Sequence, residues 1–123
     1  MIKACENGES LIESYSFGRI TIDGKTYRND VIIFPDHVKD NWWRERGHSL
    51  LPDDISEVIG RGPETLIVGT GANDRMTVSS TTREHIESSG INLIVKDTED
   101  ACDLYNELVD TEGKVVAALH LTC

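Results

Sequence analysis

The run Val115-Val116-Ala117-Ala118-Leu119 places five apolar residues in succession before the first polar side chain, His120. An amphipathic helix would break such a run every third or fourth residue, and a half-exposed strand would break it every second. An unalternated run of this length reads as a strand covered on both faces, which requires a sheet with layers above and below it. The expected strand covers residues 115–122 and lies in the interior of the sheet. The residues after it, His120, Thr122 and the terminal Cys123, are then expected to be structurally placed, with the last carboxylate tied down nearby.

The rest of the chain supplies the other layers. At 123 residues it is long enough for one core and too short for two, so residues 1–123 form a single domain. The first third reads as a β-ribbon. Tyr15 and Phe17 alternate, as do Ile20 and Ile22, with a one-residue slip of phase at Gly18. That slip predicts a β-bulge at Gly18, with Tyr15, Phe17, Ile20 and Ile22 sharing one side. Asp23-Gly24 predicts a type I′ turn. Val31 to Phe34 is a further continuous apolar strand, Thr65 to Val68 reads as a second buried strand and Ile91 to Val95 as a third. Asp53 or Asp54 can cap a short helix with Ile55, Val58 and Ile59 on its apolar stripe. Thr81-x-x-Glu84 predicts a capping box opening a second helix. Thr98 or Asp97 opens a third, with Ala101, Leu104, Tyr105, Leu108 and Val109 on one face and Gly113 at its end. Strands alternating with helices give an α/β three-layer domain.

Charge narrows the partners. The net charge of −10 is spread along the chain, so the surface repels phosphate backbones; nucleic acid and anionic membranes are not expected as partners. No apolar run reaches the length of a signal core or of a membrane-spanning helix. Three cysteines, Cys5, Cys102 and Cys123, form an odd and widely spaced set, which points to reduced thiols in the cytoplasm. Four histidines lack ligand spacing among themselves or with the cysteines, so no metal and no cofactor is expected.

Three places carry candidate chemistry. Residues 36–51 form a long polar stretch containing Trp42-Trp43-Arg44 and His48. Adjacent indoles on an extended segment cannot both be deeply buried. Two readings stand: both rings staple the loop down, which is favoured, or one anchors the loop while the other covers a pocket or meets a partner; Arg44 stacks on an indole or holds a carboxylate or phosphate. Gly69-Thr70-Gly71 ends a strand, where α/β folds bind ligands, and its N–H groups could approach an anion. Asp74 replaces the third glycine of a dinucleotide fingerprint, so a tight packing turn and a small-anion site are the two readings that stand. His120 and Cys123, three apart on one strand, point to opposite faces and are read as structural. Cys102 reads as packing beside the apolar stripe.

Taken in order, Trp42-Trp43-Arg44 with Gly47-His48, Val68-Gly69-Thr70-Gly71, Thr98 with Ala101 and Tyr105-Asn106, and His120-Leu121-Thr122-Cys123 resemble a small, widely distributed methanogen-type domain family. Its relatives include a human adipogenesis-associated protein and a mitochondrial assembly factor for respiratory complex I. The resemblance spans residues 11–123. It implies a central mixed sheet of about five strands with the last strand interior and antiparallel to its neighbours. An antiparallel last strand would set His120 to Cys123 at the edge of the sheet remote from Gly69-Thr70-Gly71. The long loop would then reach the glycine turn and not the terminus. Two functions follow as expectations: a non-catalytic protein-interaction or assembly module, monomeric or weakly self-associating, or a small-molecule or anion-binding enzyme with its pocket between the Trp42-Trp43-Arg44 loop and the Gly69-Thr70-Gly71 turn.

Overall fold

A computed structural model of the protein describes residues 11–44, 48–109 and 114–122. Strands β1 (Ile12–Ser16), β2 (Arg19–Ile22) and β3 (Lys25–Tyr27) form an antiparallel ribbon. β4 (Val31–Ile33) and the short β5 (Val38–Lys39) follow. Then come β6 (Ser49–Leu50), a 3-10 turn at Pro52–Ile55 that runs into helix α1 (Ser56–Arg61), and β7 (Thr65–Gly69). β8 (Thr77–Val78) pairs with β6 in parallel, and α2 (Ser80–Ser88), β9 (Asn92–Lys96), α3 (Thr98–Val109) and β10 (Val115–Leu119) complete the order.

The central sheet has five strands in the order β5-β4-β10-β7-β9, with β10 in the middle and all five of its residues buried. The unalternated apolar run therefore marks a strand covered on both faces, as its composition requires. Residues Val115, Ala117, Leu119 and Leu121 point to one side, where they join Tyr105 and Ala101 of α3 and Ile20 and Ile22 of the ribbon. Val116 and Ala118 point to the other, among Ile55, Val58, Ile86 and Trp42. These two cores make the three layers. The small alanines let helix and loop side chains approach the sheet closely on each side.

β10 is antiparallel to β4 but parallel to β7, which is in turn parallel to β9. The antiparallel relation expected of the last strand thus holds toward one neighbour only. The carboxyl ends of β10 and β7 consequently lie at the same edge of the sheet. His120 N–H donates to the Gly69 carbonyl at 3.0 Å, and Ala72 N–H donates to the Thr122 carbonyl at 3.1 Å. The expected separation of the terminus from the glycine turn is therefore overturned.

Two local expectations are also corrected. At Gly18 there is no bulge: Ser16 pairs with Arg19 and Phe17-Gly18 is the two-residue turn between β1 and β2. Gly18 takes a positive φ of 75° there, and Phe17, 63 % exposed, does not share a face with the buried isoleucines. A chain reversal shifts side-chain phase just as a bulge does, and sequence spacing does not separate the two. The irregularity of pairing lies instead between Ile12 and Ser14. There the Asn106 side chain of α3 replaces a strand partner, accepting from Ile12 N–H at 2.9 Å and donating to Ile12 carbonyl at 2.7 Å. The cap of α2 is Ser79, not Thr81: the Ser79 hydroxyl accepts from Thr82 N–H at 3.3 Å. Four consecutive hydroxyl residues offer four caps, and burial of Thr82, whose hydroxyl donates to the Leu50 carbonyl at 2.8 Å, selects the register. Asp23 and Gly24 both take positive φ, 50° and 82°, as a type I′ turn demands. Gly113, expected to end α3, lies outside the described residues.

Gly69 is set by packing. A Cβ there would stand 2.9 Å from Leu119 Cδ2, 2.9 Å from Thr98 Oγ1 and 3.2 Å from Thr98 Cα. Gly69→Ala should therefore destabilise the fold by about 1–3 kcal/mol, the cost of overpacking. Urea unfolding measures this; a change within the ~0.5 kcal/mol typical of a surface substitution would refute the close approach.

Candidate functional site

The carboxyl edge of the sheet gathers most of the residues singled out by sequence, together with one that was not. Asp30, directly before β4, places Oδ2 2.8 Å from His120 Nδ1 and 2.8 Å from Arg44 Nη1. Its other oxygen, Oδ1, accepts from Leu121 N–H at 2.7 Å. Arg44 Nη2 lies 3.0 Å from the same His120 Nδ1. The Arg44 and His120 side chains are only 4 % and 7 % exposed, and Asp30 is 16 % exposed. Burial pushes the Asp30 carboxyl upward, but hydrogen bonds from His120, the Leu121 N–H and Arg44 outweigh it and hold the group below the usual carboxylate range.

Arg44 reaches this position because Trp42 anchors the loop. Trp42 is 4 % exposed, its indole N–H donates to the Asp54 carbonyl at 3.0 Å, and its backbone N–H donates to the Asp30 carbonyl at 2.8 Å. The Arg44 guanidinium carbon stands 4.8 Å from the Trp42 ring centroid, so it stacks on the indole while it holds the carboxylate. Both roles expected of Arg44 coexist. Trp43, one residue away, is 76 % exposed. The division between an anchoring and an outward-facing indole is therefore present.

The glycine turn is engaged within the protein. Thr70 N–H donates to the Lys96 carbonyl at 2.9 Å, Gly71 N–H to the Thr98 hydroxyl at 2.8 Å, and Ala72 N–H to Thr122. Those donors do not face a ligand. Thr98 Oγ1 in turn donates to the His120 carbonyl at 2.5 Å. It can do so because Asp97 caps α3, its carboxylate accepting from Asp100 N–H at 2.9 Å. Leu121 completes the knot, its carbonyl accepting from Tyr15 Oη at 2.8 Å and Gly18 N–H at 2.9 Å. Burial, followed by the charge of neighbouring acidic groups, pushes the Tyr15 hydroxyl up to about 12, so it stays a neutral donor.

The expectation that the long loop reaches only the glycine turn also fails. Because β10 and β7 end together, Arg44 touches His120, whose own N–H holds Gly69. His48 is exposed but stands edge-on to His120, with ring centroids 6.0 Å apart. Among the described residues His120 is satisfied on one side only: its Nε2 is buried without a hydrogen-bond partner. Cys123, and any approach of its thiol to His48 or Arg44, lies outside the described residues. Cys102 packs in the core, and burial ahead of the Asp103 and Glu99 charges pushes its thiol up to about 12. Among the described residues no three His, Cys, Asp or Glu side chains gather as a metal set.

Asp30 escaped the sequence reading. It sits 14 residues from Arg44 and 90 from His120, in the polar stretch Arg28-Asn29-Asp30 that reads as a solvated connection. Its one signal is an acid set immediately before a wholly apolar strand.

Two cavities border the site's surroundings. A groove of about 500 Å³ is lined by Ile32, Lys39, Trp42, Trp43, Asp53 and Glu57, among others. A smaller cavity of about 120 Å³ lies among Pro35, Arg61, Pro63 and Lys114.

The chain belongs to the family described as "Protein of unknown function (DUF498/DUF598)", whose model matches residues 12–120. Its fold is that of several solved structures. One described as an outer membrane protein from Bartonella henselae is 22 % identical with a TM-score of 0.81, covering 95 % of this chain and 98 % of that one. A conserved hypothetical protein from Pyrococcus horikoshii is 26 % identical with a TM-score of 0.77, covering 91 % and 98 %. A Bordetella pertussis protein described as a Mth938-like domain is 20 % identical with a TM-score of 0.74, covering 91 % and 85 %. In this chain, no helix among the described residues is long and apolar enough to cross a membrane.

Removing the Asp30 carboxylate should cost about 3–5 kcal/mol, the cost of breaking a buried ion pair by taking away one partner. Since the folded-state value of Asp30 is lowered, its contribution is complete above the ordinary carboxylate range and is lost as pH falls through the lower folded value. Asp30→Asn should therefore flatten the acid side of the stability profile below about pH 4. Denaturant titrations from pH 2 to 7 decide it, and parallel profiles for the two proteins would contradict the role of Asp30.

Proposed function

We propose that this domain is a protein-interaction or assembly module whose contact surface centres on Trp43, acting in the cytoplasm as a monomer or weak homo-oligomer. The observation that carries the reading is the unequal fate of two neighbouring indoles. Trp42 and Arg44 are buried and locked to Asp30 and Asp54, and between them the Trp43 side chain is held out at 76 % exposure. A large aromatic on a rigid anchor loses little conformational freedom on binding, which is the physical character of an interface hot spot.

The surroundings indicate the class of partner. Trp43 borders the groove that Asp53 and Glu57 line, and the whole chain carries a net charge of −10. A peptide segment presenting an apolar side chain to Trp43 with Lys or Arg beside it matches both features. The alternative of an anion-binding pocket between the loop and the glycine turn finds less support, because the N–H groups of Thr70, Gly71 and Ala72 are donated internally.

Selection of a random peptide display library on the wild-type protein, followed by affinity measurement on Trp43→Ala, tests this reading. Because Trp43 is exposed, the variant should melt as the wild type does. Basic-apolar peptides should be enriched and should lose roughly 30-fold or more in affinity on the variant, the ~2 kcal/mol of a hot-spot truncation. Selected peptides that bind both proteins equally, or a selection that yields no saturable binder, would overturn it.

A further inference from the structure

In the knot at the carboxyl edge, His120 Nε2 stands apart from the groups that hold it in place. It is buried in a side chain only 7 % exposed and has no hydrogen-bond partner among the described residues. A buried, unpartnered ring nitrogen is costly, and native structures retain one where it serves a ligand or a reaction.

The character of that nitrogen follows from its neighbours. The Asp30 carboxylate can only accept, and it stands 2.8 Å from His120 Nδ1. A bare Nδ1 would set lone pairs against lone pairs at that distance, so Nδ1 carries the proton. Arg44, which cannot donate to a nitrogen so occupied, serves the same carboxylate through Nη1 at 2.8 Å. In the neutral imidazole Nε2 is then a lone pair, and the carboxylate behind it fixes the ring's tautomer and orientation. A carboxylate that fixes one ring nitrogen so that the other is free to coordinate is the recurrent second-shell arrangement of histidine metal ligands.

A second imidazole stands beside it. His48, in the exposed part of the loop, has its ring centroid 6.0 Å from that of His120. Two imidazoles bound to one tetrahedral ion at ordinary metal–nitrogen lengths of about 2.0–2.1 Å place their centroids roughly 5–6 Å apart. We propose that His120 and His48 form a two-imidazole site for a borderline d-block dication such as Zn²⁺, with Asp30 as the positioning residue and solvent completing the coordination. Imidazole nitrogen selects such ions over Mg²⁺ and Ca²⁺, which demand oxygen. The separation of 72 positions between the two histidines explains why no sequence spacing announces the pair. This site does not depend on the Trp43 surface, and either can fail without the other.

Absorption titration of the untagged full chain with Co²⁺, with Zn²⁺ as competitor and equilibrium dialysis for stoichiometry, tests it. The wild type should bind one Co²⁺ per chain, displaced by Zn²⁺. His48→Ala, at an exposed position, should bind at least tenfold more weakly, whereas His37→Ala and His85→Ala should match the wild type. His48→Cys should restore the affinity and add an intense sulfur-to-cobalt charge-transfer band, a signature that a merely structural role for His48 would not produce. Absence of saturable binding in the wild type overturns the site, as does unchanged affinity in His48→Ala. Loss of binding in His48→Ala without the new band in His48→Cys also overturns it, since His48 would then shape the region without ligating.

Discussion

The Asp30 carboxylate fixes the carboxyl edge of this domain. With two oxygens it holds a backbone N–H of the chain just beyond the central strand, the His120 ring and the Arg44 guanidinium. Those three groups come from the terminal segment and the long loop, and Asp30 itself leads into β4. One carboxylate thus ties the two antiparallel neighbours β4 and β10 to the loop that crosses the far layer. Burying a guanidinium is costly unless it is paired, and the Asp30 carboxylate supplies such a pairing for Arg44. Its stacking on Trp42 adds an apolar surface to the same contact.

This dependence explains why the end of β10 is so fully enclosed. Its residues occupy the middle of the sheet, so the segment after it emerges between layers and cannot turn to water for its backbone hydrogen bonds. Each group is met from a different element: Gly69 and Thr98 at His120, Asp30, Tyr15 and Gly18 at Leu121, and Ala72 at Thr122. The glycines of the Gly69-Thr70-Gly71 turn belong to that arrangement. Gly69 lets Leu119 and Thr98 close upon the strand, and Gly71, at a φ of 110°, swings its N–H to the Thr98 hydroxyl. A motif that resembles a phosphate loop in one dimension is a packing device in three.

What then remains available to other molecules is what the knot does not consume. Trp43 is held outward by two buried neighbours, and the second nitrogen of His120 is held inward by a carboxylate on the first. Both are produced by the same rigid scaffold, and rigidity is what makes either useful for recognition.

Sequence alone determined the layers. Unalternated apolar runs at Val31 to Phe34, Leu66 to Val68 and Val115 to Leu119 can be satisfied only by a sheet covered twice, and the stripe Ala101, Tyr105 and Val109 supplies a helix for one cover. The Asp23-Gly24 turn was legible because two consecutive positive φ values admit few residue types. That the two tryptophans cannot both be deeply buried was legible because extended neighbours face apart, but the sequence favoured both stapling the loop, and the structure holds Trp43 outward. Tertiary structure decided the rest. The direction of β10 relative to β7 leaves no trace in composition, since strands buried on both faces have the same apolar character in either sense. That direction brought the terminus to the glycine turn instead of away from it. Asp30, Arg44, His48 and His120 meet only because three separate segments reach one edge of the sheet. A carboxylate reads as solvated until the fold shows what it faces, because local spacing records which residues share a face and says nothing of which faces meet.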